Sequence, residues 1–329
     1  MSRRLLGRSA AWLFVLVLLL TAVRAGRIYV DQVWRGPGPL SQNADFVVPH
    51  GTTNDVGEAL HKAGIVDSVL AFRIAEYVTD GQGPLHAGEF AFPARISLTE
   101  VFQTLRHGRQ VEHHLTIPEG LTGKDIAALI NAAPAMTGRV SLAREGAILP
   151  NTYDYLYGTP RPVLLARAEH ALAAAMGKLW PDRAPNLPLT SPEEAITLAS
   201  IVERETAKPE ERPMVAAVYL NRLAAGMKLQ ADPTVIYGLS DGSGVMDRPL
   251  DHADLLTPSA YNTYLNTGLP PGPIAAPGIA SIRAVLHPAD SDALYFVADG
   301  QGGHVFSHDY AGQMKNVAKL RKLDAARVK

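Results

Sequence analysis

An uncharged run from Ser9 to Val23 constrains this chain more than any other feature; Arg3, Arg4 and Arg8 precede it, and Arg24 and Arg27 follow it. Such a segment needs a bilayer, a translocation channel or a protein core around it. It is short against the roughly 20 residues of a spanning helix and fits the apolar region of a signal peptide comparably well. No good small-x-small cleavage site follows, because Ala22-Val23-Arg24 fails and Val23-Arg24-Ala25 is weak. The expectation is an uncleaved signal anchor over residues 1–28, with a cytoplasmic basic end and everything after about Ile28 exported. A bacterial cytoplasmic (inner) membrane, crossed once, with a periplasmic remainder, is the matching location. A cleaved signal peptide would export the chain equally.

The remainder is long enough for a large core or two to three small ones: 329 residues, 47% hydrophobic and 19% charged. Its 31 basic and 32 acidic residues leave a net charge of −1, and no Lys/Arg cluster lies beyond the N-terminus, which argues against nucleic acid. The absence of cysteine excludes disulfides, thiol catalysis and cysteine-bound zinc. Eleven histidines form no His-Glu-x-x-His pattern, and adjacent His113 and His114 would point to opposite faces of a strand. Gly-x-Ser-x-Gly is also missing. No metal and no cofactor are expected.

The stiff segment Arg35-Gly-Pro-Gly-Pro39 marks residues 29–44 as a linker. A small α+β module is expected over 45–110: a strand at Phe46, helices over Thr53–Ala63 and Val69–Tyr77, a strand at Glu89–Phe92, and a Ser97-capped helix. Residues 111–329 read as a larger α+β domain. It opens with a strand at His113–Ile117 and a helix over Thr122–Asn131, then a long helix over Val163–Leu179. Ser191, Pro192 and Glu194 carry a helix start with a capping box, and that helix should run to about Ala207. The next should start near Glu210 and end at Gly226, completing a helical hairpin. Pro- and Gly-rich loops follow, notably Asn266–Pro273, then a β-hairpin of Leu294–Ala298 with Val305–Ser307 and a surface helix from Asp309.

Two carboxylates close the first hairpin helix in Leu198-Ala-Ser-Ile-Val-Glu-Arg-Glu-Thr206. At 100° per residue Glu203 and Glu205 lie about 200° apart and each flanks the buried stripe, so periodicity does not choose between them. A carboxyl held against apolar side chains loses hydration and keeps its proton toward neutral pH, as a general acid must. The plain alternative is two solvated rim residues paired with Arg204 or Lys208. Gln230, Asp232, Thr234 and Tyr237 crowd the segment Leu229–Gly238, and Tyr261, Asn262 and Tyr264 a later one. Amides, carboxylates and phenols of this kind suit sugar hydroxyls and ring faces, although Asp232 before Pro233 also reads as a helix cap.

In order and spacing these segments resemble the endolytic murein transglycosylases, the MltG or YceG-like family. Thr116-Ile-Pro-Glu-Gly120, Ile201-Val-Glu-Arg-Glu205, Leu229–Gly238, Tyr261-Asn-Thr-Tyr264, Gly268-Leu-Pro-Pro-Gly-Pro273 and Leu294-Tyr-Phe-Val-Ala-Asp-Gly300 carry the likeness, which spans about Asp45–Leu323. The resemblance implies a LysM-like peptidoglycan-binding module ahead of a catalytic domain. It puts the catalytic carboxyl on Glu203. It further implies a lyase that cuts the β-1,4 bond from N-acetylmuramic acid to N-acetylglucosamine inside glycan strands, leaves 1,6-anhydro ends, and ends elongation of nascent strands beside peptidoglycan synthases. Gln230, Asp232, Thr234, Tyr237, Tyr261, Asn262 and Tyr264, with Asn151 and Tyr153, would hold the strand. Leu149-Pro-Asn-Thr-Tyr153 departs from the family's usual aspartate by placing an amide at Asn151, which leaves that position a hydrogen-bonding role. A hydrolytic muramidase and a silent wall-binding scaffold are the alternatives.

Overall fold

The computed structural model describes residues 3–141 and 143–327. The first two residues of the expected anchor, Leu142 and the last two of the expected catalytic domain lie outside the described residues. The chain divides into two compact units, Met1–His113 with Leu156–Gly158, and His114–Tyr155 with Thr159–Lys329.

The first unit begins with α1 (Arg3–Tyr29), which runs on into a π turn, Val30–Trp34. Nothing between Ser9 and Tyr29 breaks a helix, so α1 outruns the uncharged stretch and takes in Arg24 and Arg27. Trp12–Trp34 is long and apolar enough to cross a membrane, and its large apolar side chains from Trp12 to Tyr29 are exposed.

Beyond it come β1 (Ala44–Val48), α2 (Thr53–Lys62), α3 (Val69–Thr79), β2 (Gly88–Phe92) and α4 (Leu98–His107). β1 and β2 pair antiparallel, with Ala44 opposite Phe92 and Val48 opposite Gly88. Thr52 with Asp55, and Ser97 with Glu100, close full capping boxes that satisfy the first N–H groups of α2 and α4. Leu60, Phe72, Phe90, Phe92, Val101 and Leu105 form the core, and Phe72 stacks on Phe102 with ring centroids 4.7 Å apart. Burying each of these side chains contributes about 1.5–3 kcal/mol.

Further along, β3 (Glu112–Thr116), α5 (Gly123–Ala132), β4 (Thr152–Leu156) and α6 (Arg161–Leu179) surround a second core of Leu115, Ile117, Ile126, Ile130, Ile148 and Leu164, and β3 pairs with β4. A third core is helical. α7 (Pro192–Glu205) and α8 (Arg212–Ala224) form the expected hairpin, followed by α9 (Asp232–Leu239), α10 (His252–Leu255) and α11 (Ile279–Leu286). α7 packs on α8, α9 and α11, burying Leu198, Ala199, Ile201, Val202 and Tyr219. A β-hairpin, β5 (Tyr295–Ala298) with β6 (His304–Ser307), and α12 (Tyr310–Arg327) finish the chain.

The helix stop at Gly226 is as expected, with φ +66°. The capping box at α7 is only half made. Ser191 accepts the Glu194 N–H, but the Glu194 carboxylate accepts from the N–H and hydroxyl of Thr190 instead of returning to Ser191. Three helices, α9, α10 and α11, occupy the stretch expected to be loops. α11 is buried on nearly every side, with only Ala280 and Arg283 exposed, so it carries no polar face for periodicity to detect.

Candidate active site

The two carboxylates at the end of α7 do face opposite ways, and their surroundings differ. Glu203 Oε1 accepts from Arg212 Nη2 at 2.9 Å and Oε2 accepts from the Gly278 N–H at 3.0 Å. Its side chain is 6% exposed, and Arg212 also lies 3.6 Å from Glu119 on the turn after β3. Burial, then the neighbouring Glu203 charge, raises Glu119, with Arg212 opposing. A Cβ at Gly278 would fall 1.8 Å from Glu119 Oε1, so any larger residue there would displace the Glu119 carboxylate. The three charges tie the end of α7, the start of α8 and the start of α11 to the Pro118-Glu-Gly120 turn. Both oxygens of Glu203 act as acceptors in this joint.

Glu205 is the contrary case. Its carboxyl is pushed up to about 7, first by burial and then by the Asp232 charge, while a hydrogen bond from Tyr219 and the positive Arg222 pull the other way. Tyr219 O–H donates to Oε1 at 2.6 Å, and burial with the facing Glu205 holds that phenol well above its ordinary value. Arg222 spends its donors on the carbonyls of Leu294 and Leu229, at 2.7 and 2.6 Å, so it offers Glu205 a field and no hydrogen bond. A desolvated carboxyl that keeps its proton near neutrality is the equipment of a general acid. The resemblance puts the catalytic carboxyl on Glu203, which Arg212 and the Gly278 N–H hold, while Glu205 is a carboxyl that burial raises.

Asp232 opens α9 and is exposed, and its Oδ1 accepts from Tyr264 O–H at 2.6 Å. Burial and that bond raise the Tyr264 phenol, which also feels Glu205. Glu205, Asp232 and Tyr264 therefore form one electrostatic group. The loop that carries Tyr264 is pinned from behind. Gln230 N–H donates to the Thr263 carbonyl and Ala231 N–H to Thr263 Oγ1, at 3.1 and 3.0 Å, with Gln230 held at φ +53°. Gln230 itself is exposed beside Asp232 in the chain.

Several expected strand-holding residues turn out to be structural ties. Thr234 is fully buried, bonded to Thr263 and the Ala231 carbonyl. Asn262, also fully buried, clasps the carbonyls of Leu255 and Thr257 and receives the Tyr264 N–H. Tyr153 is buried with its hydroxyl on the Leu149 carbonyl, and Asn151 turns its amide oxygen to the Thr152 N–H. Polar type suggests contact with a ligand; for Thr234, Asn262 and Tyr153 burial commits these groups to hydrogen bonds inside the fold, whereas Asn151 is exposed.

Tyr237 and Tyr261 do meet, ring centroids 4.8 Å apart, and Tyr237 O–H reaches Glu145 Oε2 at 3.3 Å. Burial raises Glu145 against its bonds from the Gly123 N–H and Tyr237. A lone glutamate in the loop before Gly146 gives no signal in sequence. Gly123 at the start of α5 and Tyr237 of α9 supply its surroundings from far along the chain.

Fold and site define a mixed helix-and-sheet protein with a desolvated acid set against an exposed carboxylate and a phenol. The sequence pattern of the YceG-like family matches residues 46–319, and the chain belongs to that family. It is 29% identical over 325 residues to the endolytic murein transglycosylase of Streptococcus pneumoniae, covering 83% of this chain and 57% of that protein. It is 45% identical over 117 residues to the endolytic murein transglycosylase of Bacillus subtilis, covering 36% of this chain and 31% of that protein. The chain thus spans little more than half the length of the pneumococcal relative and less of the other. A crystal structure of a YceG-like protein from Listeria monocytogenes superimposes with a TM-score of 0.50 at 27% identity, covering 84% of this chain and 99% of that one.

Proposed function

We propose that this protein is a peptidoglycan lytic transglycosylase that cuts within glycan strands, with Glu205 as its acid and base. The observation that carries the reading is the Glu205 carboxyl, raised to about 7 beside Tyr219, Asp232 and Tyr264. Glu205 gives its proton to O4 of the departing N-acetylglucosamine as the bond from that oxygen to C1 of N-acetylmuramic acid breaks. The 6-hydroxyl of the same muramyl residue attacks C1 and passes its proton to the Glu205 carboxylate. The new C1–O6 bond closes the 1,6-anhydro ring, and the acid is restored without water. In this reading Asp232 and Tyr264 polarise the sugar, while Gln230, Tyr237 and Tyr261 contribute polar and aromatic edges to the strand.

The antiparallel β1–β2 pair with two intervening helices supports a LysM-like, peptidoglycan-binding reading of residues 45–110, and the division into units near His113 supports a catalytic domain from 111 on. The exposed apolar length of α1 supports a single-pass anchor, its basic end cytoplasmic and the rest periplasmic, where nascent strands and their synthases would be the partners. Cutting there would end strand elongation.

A second reading rests on Asp232: an exposed carboxylate in the field of Glu205 is the pair that a hydrolytic muramidase needs to activate water. Mass spectrometry of the fragments released from purified sacculi separates the two, since an anhydro end is lighter than a reducing end by one water. Reducing ends from the wild-type protein would establish the muramidase, and undiminished release by Glu205→Gln would remove Glu205 from the chemistry.

A further inference from the structure

Among the described residues, the first unit contains a buried cation with no carboxylate paired to it. Arg106 on α4 is 6% exposed, and its Nη1 donates to Thr79 Oγ1 at 3.0 Å and reaches Gln82 Oε1 at 3.4 Å. Its Nε and Nη2, both buried, have no hydrogen-bond partner, and neither does the buried Nε1 of Trp34. Phe102 lies under the guanidinium, 5.1 Å from its ring centroid. These donors line one cavity of about 250 Å³, with Val30, Arg35, Thr79, Gln82, Leu98, Thr99 and His107. No carboxylate stands in its wall. Arg35 is paired outward with Asp31 at 3.4 Å.

A buried guanidinium without a counter-charge is strongly destabilising. Water could accept from one or two of the three donors, yet it cannot neutralise the charge. An oxyanion does both, and the fork of Nε and Nη2 matches two oxygens of a phosphate or carboxylate. A phosphate diester keeps further oxygens for Trp34 Nε1. The position of the cavity selects the source. Val30, Trp34 and Arg35 come directly at the end of α1, and Trp34 is fixed there by the Thr99 hydroxyl on its carbonyl at 2.9 Å. The end of a spanning helix lies at the level of lipid phosphates, where tryptophan is itself at home.

We propose that this cavity binds the headgroup phosphate of an anionic phospholipid, and so fixes the first unit at the membrane surface. The inference rests on the reading of α1 as a membrane span and is independent of the chemistry proposed for Glu205.

The test uses the full chain in neutral detergent micelles, titrated with dioctanoyl phosphatidylglycerol, dioctanoylglycerol and inorganic phosphate. The wild type should prefer the phospholipid. Arg106→Met should weaken that binding about tenfold or more while its melting temperature in lipid-free micelles holds or rises, because an uncompensated charge has been removed. Trp34→Phe keeps the ring and deletes one donor, and should weaken binding a few-fold, which tests the site should Arg106→Met not fold. Equal binding by wild type and both variants, or by dioctanoylglycerol, overturns the proposal. Inorganic phosphate binding as tightly as the phospholipid overturns the lipid source. Release of the full chain from membranes by alkaline carbonate would overturn the membrane reading itself, a failure that the micelle titration does not mimic.

Discussion

Glu203 and Glu205 stand two residues apart on one helix, made of the same atoms, and the fold gives them opposite circumstances. On one face Arg212, the Gly278 N–H and Glu119 build an ion-paired joint among α7, α8 and α11. On the other, Tyr219, Arg222 and Asp232 surround a carboxyl that burial raises to about 7. A charge given a partner becomes a structural tie, and one deprived of water without a full partner becomes a proton donor. The difference lies in what each face of α7 is packed against.

The sharpest way to break this comparison is to neutralise each carboxyl in turn. Glu205→Gln should lower kcat for glycan release about 10²- to 10⁴-fold, the range that general acid catalysis contributes, with the melting temperature at pH 7 held or raised. If Glu203→Gln, corrected for its folded fraction, produced that loss while Glu205→Gln did not, the roles would be reversed. The joint should fail through stability instead. Arg212→Met leaves Glu203 buried without its partner and should cost about 3 kcal/mol or more in urea unfolding, with the activity of the folded fraction retained.

Much of this architecture was legible before any coordinates. Capping residues Ser97 and Ser191 mark helix starts because they satisfy N–H groups locally, and those helices lie where the sequence placed them. The helical hairpin and the last β-hairpin follow from equally local signals. The choice between Glu203 and Glu205 was not legible, since it depends on Arg212, Tyr219 and Asp232 arriving from other helices. The bonds of Thr234 and Asn262 were illegible for the same reason: a polar side chain looks alike in sequence whether it meets a ligand or a buried polar group. Glu145 and the Arg106 cavity gave no sign at all, being defined by contacts distant in sequence.

Proton linkage sharpens the comparison further. Glu205 titrates near 7 in the fold, against an ordinary 4.5, so the unfolded chain binds fewer protons between those values. The stability that its neutral carboxyl contributes is whole below about pH 4.5 and drains away as the pH rises through 7. Between about pH 5 and pH 8 the wild type should lose on the order of 2 kcal/mol relative to Glu205→Gln, whose amide has no proton to release. Paired urea titrations at the two pH values measure it, and parallel profiles would remove Glu205 from its desolvated state. Activity should fall on the alkaline side of about pH 7 for the same reason, as the donor loses its proton.

The smallest effect tests how far the acid's surroundings extend. Tyr264→Phe removes the 2.6 Å bond to Asp232 and leaves the ring in place. Asp232 is exposed, so water replaces the lost donor and the fold should be unaffected. Only the orientation of the carboxylate toward bound sugar is at stake, for which a loss of about three- to fivefold in kcat/KM is expected. Asp232→Asn should lose at least as much, because it removes the charge that helps hold the Glu205 proton. If Tyr264→Phe and Asp232→Asn both cleave sacculi at the wild-type rate, the loop that Thr263 pins serves packing alone, and the acid works with Tyr219 and the glycan by themselves.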